Sequence, residues 1–262
     1  MNMAVSTRAY EPVEETAAIC LQFGRLLMEA GASAKDVEEI ATWVGAGLGA
    51  HGIDLRLGYA SLAITISIGS HTVTRMCKVG AIGVDQRLYD ALRSSAAQIR
   101  RGAFTCTSAR EELDAILRSC PHQPRWVVAI SVGIACAAFG RLLAVDWVAL
   151  IPIFIASCLA QLLRDQLRVR HVNVFLSAVL VAFLGSTVAG VGSRLLGSSR
   201  VALDMIVPVL LLVPGVPGLV AQVDILEGRP TLGSARAIWV LVMLTFITTG
   251  VWIAQGLLGV AK

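Results

Sequence analysis

The period of the apolar positions changes along the chain, and each change predicts an element. From Pro12 to Ala30, Val13, Ala17, Cys20, Leu21 and Leu27 recur at helical spacing, and Gly31 supplies a stop. Ser33 then caps a second predicted helix, with Asp36 close behind, that runs through Val37, Ile40, Val44 and Leu48 and ends among Gly45, Gly47 and Gly49. The spacing next drops to two: Ile53 to Leu57, then Leu62, Ile64, Ile66 and Ile68 alternating with small or hydroxyl residues, then His71 to Val79, predict three strands with a turn at Gly69-Ser70. Helical spacing returns for Asp85 to Arg101 and Ser108 to Ser119.

Beyond the Pro121 to Pro124 linker the alternation of polar and apolar gives way to long apolar runs. They predict spans over Trp126 to Leu143, Trp147 to Leu163, Val174 to Leu196, Met205 to Val223 and Ala237 to Leu258. The expected architecture is a polytopic α-helical membrane protein with five transmembrane helices, preceded by a small α/β cytoplasmic domain. Its boundaries fall at residues 1–120, 121–125 and 126–262.

Composition agrees: 56% of the 262 residues are hydrophobic, 15% are charged and the mean hydropathy is +0.73, outside the range of ordinary soluble domains. Charge is unevenly placed. Residues 1–125 hold 13 Lys/Arg and 13 Asp/Glu, and residues 126–262 hold 9 and 5, so the net +4 belongs to the apolar half. Short basic loops at membrane borders account for it, and the absence of a clustered Lys/Arg face excludes a nucleic-acid partner. With five spans the termini lie on opposite sides. Arg125, Arg164, Arg168, Arg170, Arg229 and Arg236 fall on one side, against Arg141, Arg194, Arg200 and Lys262, which places the N-terminus in the cytoplasm and the C-terminus outside. The N-terminus carries no charged segment followed by an apolar core, so no cleavable signal peptide is expected. The balanced charge and separate apolar periods of the first 120 residues predict an independent core.

The fourth span carries the sharpest signal. LLLVPGVPG, Leu210 to Gly218, places two prolines and two glycines in five residues, and such a stretch cannot stay in an unbroken helix. A break near the midplane is tolerated only inside protein or against a water-filled cavity, and broken helices are where many transporters bind substrate. A proline kink that only shapes packing is the alternative. On the transport reading, Pro214, Gly215, Pro217, Gly218 and Leu219 form the substrate path, with free N–H groups expected at Gly218 and Leu219. Asp204 is expected as an N-cap, with Pro208 in the following turn. Asp224 opposes the dipole at a helix C-terminus, so it needs a cation, a proton or a bound ion, and a salt bridge to Arg229 or Arg236 would suffice. Arg236 or Arg170 is the guanidinium expected to assist a substrate carboxylate.

Other features carry less. Gly47 to Gly52, GLGAHG, fits a dinucleotide-binding pattern but closes a helix instead of opening one, and is rejected as a cofactor loop. Six cysteines without a CxxC pair read as reduced thiols, and Cys120 with His122 is too sparse for a metal site, so no cofactor is expected. Asp54, Tyr59, Ser61, Thr65 and Arg75 could line a pocket or a solvated sheet face. Small residues at Ala156, Ala160, Gly185, Ser186, Ala189, Gly190, Gly192 and Ser193 allow close helix approach and suggest an oligomer or a second subunit. Thr245, Thr248 and Thr249 could bond back to their own helix or line a path. No HExxH, GxSxG or P-loop is present, which argues against an enzyme; a ligand sensor is the remaining alternative.

Several of these segments together resemble the threonine/serine exporter family, most closely its short, YjjP-like half: Val209 to Gly228 with Gly233 to Arg236, Pro124 to Trp126, Arg170-His171, and Gly31 to Glu39 with its GAS and VEE strings. The resemblance covers nearly the whole chain. It implies a cytoplasmic domain before five spans and a separate, YjjB-like small membrane subunit as partner. It also implies export of small organic solutes: threonine and serine for long members, a dicarboxylate such as succinate for the split pair.

Overall fold

The computed structural model describes residues 3–102, 104–119 and 123–260, and Cys120 and His122 lie outside them. Two compact units emerge, one of Met1–Pro121 with Val216–Ile238, the other of His122–Gly215 with Trp239–Lys262. The stretch after the proline-glycine break therefore packs with the N-terminal unit, although it follows three spans in sequence.

In the first unit, helices α1 (Met3–Glu29), α2 (Ala34–Gly47), α3 (Gln86–Arg100) and α4 (Cys106–Ser119) accompany an antiparallel sheet of β1 (Gly52–Leu57), β2 (Ser61–Ile68) and β3 (His71–Lys78), in that order. Helix α1 begins earlier than its apolar spacing indicated and runs through Pro12. The two-residue turn at Gly69-Ser70 sets the register Ile68↔His71, with Gly69 at φ +58°. Central strand β2 buries Leu62, Ile64 and Ile66 with α1 packed on it, and the apolar core of this unit lies within residues 13–116. Thr65–Thr74 and Ser67–Thr72 hydroxyl pairs at 2.9 Å occupy the opposite face, which is a solvated sheet face.

Gly47 is the last residue of α2, and a Cβ there would sit 2.1 Å from the Ile99 carbonyl oxygen of α3. Glycine is required by helix packing at this point, which explains the string without a nucleotide. Gly47→Ala should lower the stability of the full chain by about 1–3 kcal/mol, because a backbone atom cannot yield as a side-chain tip can. Hydrogen exchange confined to α2 and α3 would detect it, and unchanged protection there would refute it.

The second unit contains α5 (Arg125–Leu142), α6 (Leu150–Val169), α7 (Val174–Leu195), the short α8 (Val201–Asp204), the 3₁₀ segment Val207–Leu212 and the C-terminal part of α10 (Pro230–Leu257). Helix α9 (Gly215–Leu226) and the start of α10 belong to the first unit. Among the described residues, four helices are long and apolar enough to cross a membrane, and five spans result if the bent pair Val201–Leu212 and Gly215–Leu226 counts as one. Trp126 and Trp147 are exposed, 65% and 73%, near span ends, where an interfacial belt would hold them.

The small residues are used within the chain. A Cβ at Gly185 would lie 3.4 Å from the Ala160 side chain, and one at Gly250 would lie 2.5 Å from the Val179 carbonyl oxygen. Ala156, Ala160, Gly185, Ser186, Ala189, Gly190 and Ser193 are buried in the unit itself. Their spacing thus encodes contacts among the chain's own helices, and says nothing about a second subunit. The hydroxyls of Thr245, Thr248 and Thr249 donate to the carbonyls of Leu241, Leu244 and Thr245, so they bond back to their own helix.

Asp204 departs from the expected N-cap. Arg200 occupies that position, and Asp204 is the last residue of α8, fully buried, with Oδ2 accepting from the Ser198 hydroxyl at 2.6 Å. The hydroxyl satisfies one carboxylate oxygen in place of the first-turn N–H groups that a cap would have used.

Candidate functional site

The chain breaks where the prolines demand, but with a different local geometry on each side. Before the break the backbone is 3₁₀ over Val207–Leu212, with Pro208 at its second position, where a missing N–H costs little. Val209 donates to Ile206 and Val213 to Leu210 in the tighter i to i+3 pattern. After the break α9 starts at Gly215, not beyond Pro217. An α-helix starting there pairs the Leu219 N–H with the Gly215 carbonyl. Gly215 itself donates to Val213 at 2.8 Å. Pro217 has no N–H to offer, and the Leu219 donor falls within the helix.

At the other end of α9, Asp224 is fully buried and Arg236 is 5% exposed, and Arg236 Nη1 donates to Asp224 Oδ2 at 2.5 Å. The second carboxylate oxygen, Oδ1, accepts from the backbone N–H of Ala34 at 2.8 Å. This contact resolves the apparent conflict with helix polarity. Asp224 lies in the last turns of α9, yet its charge sits at the first residue of α2, where free N–H groups and the positive dipole end favour an anion. Ser33 completes that terminus: its Oγ accepts from the Asp36 N–H at 3.1 Å, as its position as a cap requires.

The arrangement extends outward from this pair. Arg236 Nη2 donates to the Ala32 carbonyl at 3.4 Å, Arg229 bridges Glu38 and the Ala34 carbonyl, and Lys35 Nζ lies 3.3 Å from Glu227. Gly31, at φ +91°, makes the turn that presents Ala32 and Ser33, and a Cβ on it would meet the Gly83 carbonyl at 2.5 Å. Gly233 lets α10 approach α9, since a Cβ there would be 2.8 Å from the Ala221 carbonyl. Tyr59, in the turn between β1 and β2, lies within the field of Arg236; burial pushes its phenol up, and the guanidinium pulls the other way.

Of the site residues expected from sequence, Asp224 and Arg236 are thus brought together, and Asp224 takes Arg236 in preference to Arg229. Pro214 and Gly215 belong to the second unit and Pro217, Gly218 and Leu219 to the first. Arg170 is the exposed residue closing α6 in the second unit. Sequence reasoning missed Glu38 and the backbone of Ala32 and Ala34 as participants. A signal was present: Gly31 to Glu39 and Gly233 to Arg236, two distant segments that resemble the same family, meet at this one place.

A helical membrane protein with a broken span, whose segment after the break is tied by ion pairs to α2, is what the geometry defines. The model of the family ThrE, described as "Putative threonine/serine exporter", matches residues 18–258, and the chain belongs to this family. Similar curated proteins include the "Probable succinate transporter subunit YjjP" of Escherichia coli K12, 27% identical over 91% of this chain and 92% of that protein. The protein of the same name from Klebsiella aerogenes is 26% identical over the same shares. An "Uncharacterized protein" of Haemophilus influenzae is 25% identical over 50% of this chain and 43% of its own length. No solved structure matches the chain significantly. Family membership places the protein among membrane transporters, not enzymes.

Proposed function

We propose that this chain is one subunit of an inner-membrane exporter of small carboxylates, with succinate the first candidate and threonine or serine the next. Its N-terminal unit faces the cytoplasm, its C-terminus lies outside, and a second small membrane protein of the YjjB-like kind completes the transporter, as an oligomer. The observation that carries this reading is the match of the exporter family across residues 18–258, which takes in every apolar span. Two relatives that cover over nine-tenths of the chain bear the name of a succinate transporter subunit, and the word subunit supplies the reason to expect a partner.

In this reading the break from Pro214 to Gly218 is the moving wall of the substrate path, and the Asp224–Arg236 pair transmits its movement. The pair grips α9, α10 and the first residue of α2 at once, so a shift of α9 cannot occur without releasing or dragging α2. Asp224 and Arg236 neutralise each other's charge; their role is to couple elements, and the substrate's charge is met elsewhere.

Reconstitution tests the function. Proteoliposomes holding this chain and its partner should release preloaded radiolabelled succinate, and vesicles holding this chain alone should not. Equal flux from the single chain would overturn the two-subunit reading, and no flux of succinate, threonine or serine from the pair would overturn export.

A further inference from the structure

We infer that Arg164 is the residue that receives the solute's carboxylate, in a crevice of the second unit between α6 and the 3₁₀ segment Val207–Leu212. This inference rests on the reading of the chain as an exporter subunit for small carboxylates.

Arg164 lies inside the second candidate span, Trp147–Val169, five residues or about 7.5 Å before its end. An ionisable side chain at such a position is costly unless it meets a partner. Among the described residues the other buried or part-buried cations of the spans have partners. Arg236 has Asp224; Arg141 donates to the Val145 carbonyl and stacks 4.2 Å from the Trp147 ring; Asp204 has Ser198 on one oxygen, and its other oxygen, being anionic, offers a carboxylate solute nothing. Arg164 makes no hydrogen bond and no salt bridge with a described residue. Its neighbour Asp165 attracts it only through space, and that carboxylate accepts from Gln161 Nε2 at 3.2 Å.

Arg164 also has somewhere to act. With Ser157 and Gln161, at i−7 and i−3 on the same helix face, it lines a crevice whose far wall is Pro208, Val209 and Leu212. The crevice measures about 20 Å³, room for about one water, so the solute is shut out in this conformation. The wall that closes it is the segment best suited to move: a 3₁₀ stretch that holds Pro208 and ends just before Pro214, a form that often marks a hinge. Its displacement would expose a guanidinium fork able to take a carboxylate through two parallel N–H···O bonds. The side-chain oxygen Oε1 of Gln161, which accepts nothing from a described residue, is left to accept from a solute hydroxyl or ammonium. A guanidinium is matched by any carboxylate, and a lipid phosphate shares the chemistry, so the test separates the two.

The full chain is placed in nanodiscs of zwitterionic lipid and, separately, of anionic lipid, and equilibrium binding of radiolabelled succinate is measured. Arg164→Gln should weaken binding roughly tenfold or more in both lipids, and Arg164→Lys, which keeps the charge but loses the fork, by several-fold at normal abundance. Arg194→Gln, at an exposed residue of α7, should bind as the parent does. Unchanged binding by Arg164→Gln and Arg164→Lys overturns this site and leaves the exporter reading standing. Unchanged binding with a thermal stability that falls only in anionic lipid identifies Arg164 as a headgroup anchor, and overturns it equally. No binding of succinate, threonine or serine by the parent chain in either lipid counts against both readings.

Discussion

Asp224→Ala should lower the stability of the full chain by about 3–5 kcal/mol and abolish export, the largest effect expected of any single substitution here. The change leaves the Arg236 guanidinium buried without a counter-charge and strips the first N–H of α2 of its acceptor. Arg236→Ala should be nearly as damaging, since it leaves a carboxylate in a fully buried position. Asp224→Asn separates the two losses, because the amide can still accept from Ala34 while the charge is gone; it should assemble better than the alanine variant and transport little. Replacing both residues together, Asp224→Leu with Arg236→Met, should recover much of the stability, as apolar replacements of buried pairs often do, without recovering export. The checks are thermal unfolding of the detergent-solubilised protein, membrane abundance and succinate efflux. If Asp224→Ala unfolds at the parent temperature and exports normally, the pair neither stabilises nor couples anything. By contrast Lys35→Ala should change little, because an exposed pair such as Lys35–Glu227 contributes about 0–1 kcal/mol.

Pro214→Ala combined with Pro217→Ala should cut export at least roughly tenfold while leaving the protein in the membrane at normal abundance. Alanine restores two backbone donors and favours helix over every other residue, so α9 can extend back through Val213. A 3₁₀ segment rises about 2.0 Å per residue and an α-helix 1.5 Å, so converting the six residues Val207–Leu212 would shorten that stretch by about 3 Å. The substituted chain loses the bend and the hinge together, and the wall of the proposed path can no longer move independently of α9. Efflux from cells expressing both subunits, normalised to abundance, measures it. Normal export would show that the break only shapes packing.

Wherever one short-range signal decides, the sequence alone determined the outcome. Alternation over Leu62, Ile64 and Ile66 predicts a strand buried on one face, and Gly69-Ser70 its turn; Ser33 predicts the start of α2; the long apolar runs predict α5, α6, α7 and α10; and Pro214 with Pro217 predicts the break. Each of these rests on a backbone period or a missing N–H within a few residues. The partner of Asp224 could not be decided that way. Arg229 and Arg236 were both within reach along the chain, and the choice turned on residues some 190 positions away: Ala34 and Glu38 claim Arg229, and Ala32 holds Arg236 beside the buried carboxylate. The same holds for the small residues, whose spacing permits close approach but does not name the helix approached, and for the guanidinium facing the crevice. Arg164 and Arg170 are alike to a reading of composition and charge, but one faces the 3₁₀ wall and the other closes the helix end, because residues six apart on a helix point to different sides. Which charged groups are already satisfied is a property of the assembled chain, since burial removes water as the default partner and only the tertiary structure says which group replaces it.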